Sequence, residues 1–191
     1  MLIFSMSPSI DGYINDRDGS FDWAASDDEL FRLHSQEVAG LGAYLLGRRL
    51  YEAMRVWETD PAMRETEAFA AFADIWSALP KVVFSRTLAK VEGNARLAVR
   101  PLADEIAAAQ ESAATVVSIG GANLAGEAFE LGLIDELCIY RCPVVAGGGT
   151  RHLPAVAETV RFDLLDTRRF ANRVVYERYR VARPSIDERG S

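Results

Sequence analysis

The feature that most constrains the fold is a β-branched run at residues 115–119 that ends in Gly120-Gly121 and continues as a helix from Ala122. Such a run predicts a buried strand, and the two glycines permit a tight turn into the helix. The first turn of that helix presents free N–H groups and the positive end of the helix dipole, which suits a pyrophosphate. A purely structural strand-to-helix turn would use the same two glycines. The pattern is not G-x-G-x-x-G, which argues against a standard Rossmann domain.

The same strand-then-helix unit recurs along the chain. Strands are predicted at residues 1–5, 13–14, 41–46, 81–84, 97–99, 115–119 and 136–141. Helices are predicted at residues 26–39, 48–54, 65–79, 103–112 and 122–131. The last third instead predicts two long strands, residues 161–170 and 173–181, joined through Ala171-Asn172 as a β-hairpin. We therefore expect an α/β fold of three α/β/α layers, with a mixed, mostly parallel central sheet and a C-terminal antiparallel hairpin.

Size and composition predict one globular domain. The chain has 191 residues, 49% of them hydrophobic and 26% charged, close to ordinary globular usage. We expect a single domain over residues 1–183 and a polar tail at 184–191. No apolar run approaches the ~20 residues needed to cross a bilayer, and no signal-peptide pattern opens the chain, so a cytoplasmic protein without membrane association is expected.

Several classes of site are disfavoured by the sequence. A net charge of −7 lacks the basic footprint of a nucleic-acid binder. Neither His34 nor His152 stands in a metal-ligand spacing, so no metal is predicted, and the absence of G-x-S-x-G disfavours hydrolysis. Cys138 and Cys142 lie four residues apart in a predicted strand, too far apart to bridge, and are expected to be free thiols.

Two more predicted strand ends carry groups that suit a phosphate. Gly47-Arg48-Arg49 begins a helix with two guanidinium groups, which would be disfavoured at that end of the dipole unless an anion joined them. Ser85-Arg86-Thr87 supplies two hydroxyls and a guanidinium after the next strand, although a polar turn would contain similar residues. Gly147-Gly148-Gly149 either turns the chain or lets its backbone approach a ligand. Because the carboxyl ends of parallel strands meet at one sheet edge, the strand ends together indicate a nucleotide site.

The order of these motifs resembles the dihydrofolate-reductase-like superfamily. The branch is the one related to the reductase half of the bifunctional riboflavin-biosynthesis deaminase/reductase, and the resemblance spans about residues 1–181. The blocks that carry it are residues 9–14, 45–52, 81–88, 119–124, 132–137 and 143–149. The zinc-binding deaminase half has no counterpart in this sequence.

The resemblance implies an NADPH site, in preference to NADH. By position, Gly47, Arg48 and Arg49 would meet the cofactor phosphates, and Ser85, Arg86 and Thr87 the adenosine 2′-phosphate. The pyrophosphate would be held by the segment Gly120, Gly121, Ala122, Asn123 and Leu124. The turn at Asp11 and Gly12 would flank nicotinamide and substrate, and Phe31 would line the substrate pocket. A homodimer with the C-terminal hairpin as a contact is also implied.

The resemblance further implies an NADPH-dependent reductase that transfers hydride to a small heteroaromatic or carbonyl substrate. A 5-amino-6-(5-phosphoribosylamino)uracil-like compound and a pterin are both candidates. Folate-type relatives use a first-helix carboxylate to help protonate the substrate, and gap-free counting from Trp23 selects Asp28, beside Asp27. These two acids also suit an ordinary first helical turn. A non-catalytic NADPH-binding sensor or interaction module with the same fold is the alternative.

Overall fold

The elements alternate between strands and helices until a final antiparallel pair. A computed structural model describes residues 1–24, 27–113 and 116–182. Its strands are β1 (Leu2–Met6), β2 (Tyr13–Asn15), β3 (Leu41–Gly47), β4 (Lys81–Phe84), β5 (Ala95–Leu97), β6 (Val116–Gly120), β7 (Glu136–Arg141), β8 (Thr150–Arg151), β9 (Phe162–Arg169) and β10 (Val175–Val181). Its helices are α1 (Asp28–Ala39), α2 (Arg48–Met54), α3 (Val56–Thr59), α4 (Glu67–Ala78), α5 (Leu102–Ala113) and α6 (Ala122–Glu130).

Eight strands form one mixed sheet in the order β5-β4-β3-β6-β1-β7-β10-β9. Every pair from β5 to β7 is parallel, and β10 pairs antiparallel with both β7 and β9. The predicted mostly parallel sheet with a C-terminal hairpin is therefore confirmed. Strands β4, β3 and β6 are neighbours, so their carboxyl ends, Phe84, Gly47 and Gly120, lie side by side at one edge.

Alternation along the strands buries a different core on each sheet face. Leu2, Leu45 and Ile119 pack with residues of α5 and α6. Their opposite-facing neighbours pack against the other helices: Leu46 lies with Trp76 of α4, and Cys138 lies in the cluster that contains Leu30 of α1. The expected three layers follow from this two-sided burial.

Side-chain oxygens set where two helices begin. Asp27 Oδ1 accepts from Leu30 N at 2.9 Å and caps α1, and Thr66 Oγ1 accepts from Phe69 N at 3.1 Å and caps α4. The predicted start of the first helix at residue 26 lies outside the described residues, as does the polar tail predicted at 184–191.

A buried lysine ties α4 to β4. Lys81 is 2% exposed, and its Nζ donates to the carbonyls of Trp76 (2.5 Å) and Leu79 (3.0 Å). Glu58 Oε1 lies 3.0 Å from the same Nζ and supplies the counter-charge. The charge is fully paired, as burial requires.

Two local predictions are wrong, and two short elements were not predicted. The weak strand predicted at 97–99 is instead β5, because Lys81 pairs with Ala95 and Val83 with Leu97, and Val99 is 85% exposed. The hairpin turn is longer than Ala171-Asn172: Phe170 N donates to Val174 O, and Arg173 has φ 68°. The short elements α3 and β8 were not predicted, and β8 pairs with β2 outside the main sheet.

Candidate functional site

The three strand ends open into one cleft of about 2040 Å³. The segments that follow β3, β4 and β6 all line it, with the loop after β2 and one side of α1. The lining includes the predicted cofactor residues Gly47, Arg48, Arg49, Ser85, Arg86, Thr87, Gly121, Ala122, Asn123 and Leu124. The structure thus brings together ten of the eleven, and Gly120 lies behind them.

The two glycines after β6 have different physical roles. A Cβ on Gly120 would lie 2.3 Å from Leu50 Cδ2 and 2.9 Å from Tyr44 Cε1, so a side chain here would displace both neighbours. Gly121 has φ +99°, and a Cβ there would stand 3.6 Å from the backbone of Gly47, in the space between the two strand ends. Gly121 caps α6 without a side-chain hydrogen bond, so the first N–H groups of the helix have no side-chain partner at the cap.

Cationic side chains surround this turn. Arg48 and Arg49 are exposed at the start of α2, where the first turn contains no acidic residue. Arg48 Nη1 reaches Glu52 one turn later at 3.3 Å, a contact between two half-exposed side chains that costs little to rearrange. The guanidinium groups are therefore available to an anion in the cleft.

The segment after β4 folds as a hydroxyl-stabilised turn. Ser85 Oγ accepts from Thr87 N (3.1 Å) and Leu88 N (3.0 Å), which leaves Arg86 exposed at the cleft. The sequence did not predict Arg100, which also lines the cleft.

Arg100 is held in place by a buried carboxylate. Glu105 is 0% exposed and accepts from the backbone of Val99 and Arg100 and from the side chains of Arg96 and Arg100. The hydrogen bond from Arg96 is the main reason that the pKa of Glu105 falls to about 2. A carboxylate that is charged at any physiological pH therefore fixes this arginine at the edge of the cleft.

The turn at Asp11 and Gly12 does not line the cleft, contrary to its predicted place beside substrate. The Asp11 carboxylate accepts from Ser9 Oγ (2.7 Å) and from the backbone N–H of Ala146 (2.9 Å) and Gly147 (2.8 Å). These bonds, that of Ser9 first, hold the pKa of Asp11 at about 2. Asp11 thus anchors one loop to another, and the residues that reach the cleft follow it, from Ile14 to Gly19.

The glycine triplet 147–149 serves this contact between loops. A Cβ on Gly149 would lie 1.9 Å from Asn15 O, and one on Gly148 2.6 Å from Arg17 Nε. Arg17 Nη2 donates to Gly147 O at 2.7 Å. The close approach at this triplet is therefore to another segment of the chain, which neither interpretation from the sequence named, and Gly149 alone of the three lines the cleft.

The predicted catalytic acid is misplaced. Asp28 is exposed in the first turn of α1 and does not line the cleft, because it lies on the outer side of the helix whereas Leu30 packs against the sheet and Phe31 lines the cleft. Asp27 is committed to capping, with Oδ2 also accepting from Asn172 N at 3.1 Å. Phe31 does line the cleft, and its ring contacts Trp57 at 5.8 Å between centroids and Phe72 at 5.5 Å.

A titratable cluster on α1 was not predicted. Glu37 lines the cleft and accepts hydrogen bonds from Tyr140 Oη and Tyr176 Oη. Burial is the main cause of a raised Glu37 pKa and also lowers the pKa of neighbouring His34 to about 4. The signal for Glu37 is its position: Leu30, Leu33 and Glu37 follow the i, i+3, i+7 spacing of an apolar helix face.

The described residues contain neither a candidate metal-binding group nor a helix that could span a membrane. Within 1–24, 27–113 and 116–182, no group of three His, Cys, Asp or Glu side chains could hold a metal ion. None of the helices described is long and apolar enough to span a membrane. Cys138 and Cys142 are both buried free thiols, as expected.

Comparisons with known proteins agree with the geometry. The family model for the RibD C-terminal domain matches residues 1–176. The uncharacterized protein YyaP of Bacillus subtilis (strain 168) is 24% identical over 178 residues, 91% of each chain. A putative riboflavin biosynthesis protein from Shewanella sp. PV-4 superposes with TM-score 0.74 and 21% identity, over 95% of this chain and 99% of that one.

A solved dihydrofolate reductase has the same fold. The enzyme from Enterococcus faecalis, in complex with NADP(H) and RAB-propyl, superposes with TM-score 0.62 and 16% identity, over 96% of this chain and 97% of that one. The dihydrofolate-reductase-like fold expected from the sequence is confirmed.

Proposed function

Because the chain belongs to the RibD C-terminal domain family, whose members are reductase-like, we propose that it is an NADPH-dependent reductase of a small molecule. One observation carries the proposal. The segments after three adjacent parallel strands line a single cleft and bring glycines, hydroxyls and exposed arginines to it. Ligands of open α/β sheets bind at this edge.

The residues at the strand ends fit the cofactor phosphates. The positive φ of Gly121 and its missing side chain leave room for a pyrophosphate beside the N–H groups of α6. Arg48 and Arg49 would add charge-assisted hydrogen bonds from the start of α2. When bound, NADPH would supply the hydride, and the protein would bind and orient it.

The residues after β4 fit a 2′-phosphate. Arg86 is exposed beside the hydroxyls of Ser85 and Thr87, and Arg100 approaches from the loop after β5. Two guanidinium groups on the same cleft favour the additional phosphate that distinguishes NADPH from NADH.

The α1 side of the cleft fits a flat substrate. Phe31, Tyr44 and Trp57 line it and are only partly buried, and aromatic rings bind a planar ring by stacking. The buried rings of Phe72 and Trp76 pack behind them. A small heteroaromatic or carbonyl compound, such as a pyrimidine of the riboflavin pathway or a pterin, therefore suits this end.

Cofactor binding tests the proposal first. A thermal shift with NADPH at 100 times its Kd should raise stability by about 2.7 kcal/mol, or roughly 5–11 °C in Tm for a chain of this size. Arg49→Ala should weaken binding about tenfold, whereas Arg64→Ala should not, since Arg64 pairs with Asp74 away from the cleft. No shift with NADPH would refute the proposal.

Turnover is the second arm of the test. The wild-type protein, mixed with NADPH and a panel of pterins and aminopyrimidines, should oxidise NADPH, which is measured as a loss of NADPH absorbance. NADPH binding without oxidation by any compound would favour the sensor or interaction module.

A further inference from the structure

Glu37 occupies an unusual place for an acid. It lies on the side of α1 that faces the sheet, on the same cleft wall as Phe31 and His34. Its two carboxyl oxygens each accept one phenolic hydrogen bond, Oε2 from Tyr140 and Oε1 from Tyr176 at 3.1 Å. Tyr140 comes from β7 and Tyr176 from β10 of the C-terminal hairpin, so two neighbouring strands hold the carboxyl group in position.

This environment accommodates both forms of the carboxyl group. Burial favours the neutral acid and raises the pKa of Glu37, whereas the hydrogen bonds from Tyr140 and Tyr176 stabilise the carboxylate once the proton has left. His34, whose ring lies 4.1 Å from that of Tyr140, stays neutral because burial lowers its pKa to about 4. It therefore adds no positive charge that would expel the proton from Glu37.

The groups that face Glu37 come from every element around it. They are His34 of α1, Tyr44 of β3, Cys138 and Tyr140 of β7, Tyr176 and Arg178 of β10, and Arg168 of β9. Arg178 shares Glu136 with Arg180, at 2.6 and 3.2 Å, and Arg168 pairs with Asp166 at 2.8 Å. Both Arg178 and Arg168 lower the pKa of Glu37 less than the two tyrosine hydrogen bonds do. The pair of tyrosines therefore remains the principal stabilisation of the Glu37 carboxylate.

The other acids that line the described part of the cleft have different environments. Asp16 accepts from the backbone N–H of Asp18 and Ser20, both at 2.9 Å, and so closes its own turn. Asp18 and Glu127 are exposed. Asp16 and Glu37 are both partly buried, but Glu37 alone among these acids accepts side-chain hydrogen bonds from the sheet on both of its oxygens.

We propose that Glu37 is the proton donor of the reduction and transfers its carboxyl proton to a ring nitrogen of a flat, uncharged substrate. This inference rests on the proposed function. A C=N bond that accepts hydride from NADPH forms a C–H bond at carbon, and its π electrons become the N–H bond with the proton of Glu37. The substrate gains two electrons, NADPH becomes NADP⁺, and the carboxylate of Glu37 is reprotonated from water. Tyr140 and Tyr176 are positioning residues.

A stable aromatic cation reports on this step without turnover. Proton transfer creates a carboxylate beside a protonated, planar nitrogen group. Benzamidine has that charge and shape, so it should bind the deprotonated Glu37, and uncharged benzamide should bind at least tenfold more weakly at pH 8. Calorimetric titration measures both.

Matched substitutions on α1 identify the acid. Glu37→Gln should weaken benzamidine binding at least tenfold at pH 8, whereas Glu29→Gln, the same change at an exposed position of α1, should not change it. Undiminished binding to Glu37→Gln, an equal loss in Glu29→Gln, or no binding to the wild-type protein would each overturn the proposal. A loss confined to Asp28→Asn would restore the acid selected from sequence and likewise overturn it.

The pH dependence separates proton donation from a structural role. Wild-type affinity for benzamidine should rise with pH as Glu37 loses its proton, and the Glu37→Gln profile should be flat. Tyr140→Phe removes a donor that lowers the Glu37 pKa, so it should shift the midpoint upward while the protein stays folded. An unshifted midpoint in this variant, or a flat wild-type profile, would overturn the proposal.

Failure of this inference can be told apart from failure of the proposed function. NADPH binding depends on the strand ends and should persist in Glu37→Gln. If NADPH fails to bind the wild-type protein, the proposed function is wrong, whatever benzamidine does. If NADPH binds and benzamidine does not distinguish Glu37, only the proton donor is wrong.

Discussion

Replacing Gly120 by alanine should destabilise the protein through packing alone. Gly120 does not have a positive φ, so its backbone tolerates a side chain. The new Cβ, however, would lie 2.3 Å from Leu50 Cδ2 and 2.9 Å from Tyr44 Cε1. Ordinary contact begins at 3.4 Å, so Leu50 must retreat by about 1 Å. Overpacking of this kind costs about 1–3 kcal/mol, and we expect about 2 kcal/mol for Gly120→Ala.

The matched control is Gly126→Ala, six residues along in α6. Gly126 is also buried, but its Cβ would meet Pro154 Cβ at an ordinary 3.4 Å, and alanine is the better helix former by about 0.5–1 kcal/mol. The two variants should therefore change Tm in opposite directions, with Gly120→Ala lower by roughly 4–8 °C in calorimetry. If Gly120→Ala melted at or above the wild-type temperature, the tight contact between β6 and α2 would be refuted.

Three further predictions concern stability. Lys81→Met should lower the free energy of unfolding by about 3–5 kcal/mol in urea denaturation, because it leaves the largely buried Glu58 carboxylate without its partner. The double variant with Lys81→Met and Glu58→Leu should recover most of that loss. Burial lowers the His34 pKa from 6.5 to about 4, so about 3 kcal/mol of the free energy of unfolding present above pH 6.5 should be lost as the pH falls from 6.5 through 4. His34→Phe should flatten this part of the curve of stability against pH. Equal slopes for the wild type and the variant would contradict the prediction. Asp11→Asn should speed hydrogen exchange at the amides of Ala146 and Gly147; unchanged protection would show that Asp11 does not anchor that loop.

The three strand ends that open into the cleft were predictable because their sequence signals are local. A β-branched run followed by Gly120-Gly121 specifies strand, turn and helix within ten residues, and the parallel pairing of β3, β4 and β6 then brings their ends together. Arg100 was missed because its orientation depends on Glu105 of the following helix, a contact that no strand or helix period encodes.

The proposed proton donor, Glu37, could not be identified from the local sequence of α1. Counting from Trp23 selects Asp28, but the helix begins beside the hairpin turn, and Asp28 remains exposed there. The contacts that distinguish Glu37 come from Tyr140 and Tyr176, more than 100 residues further along the chain. Only the tertiary structure reveals that this acid, unlike its neighbours on α1, is supported from the sheet.

The central claim is that the ends of β3, β4 and β6 bind NADPH. Calorimetric titration of the wild-type protein with NADPH and NADH tests it most directly, with Arg86→Ala as the variant that lacks the guanidinium beside Ser85 and Thr87. We predict that NADPH binds at least tenfold more tightly than NADH, and that Arg86→Ala removes most of this preference while NADH binding is unchanged. Equal affinity of the wild-type protein for both, or binding of neither, would contradict the account.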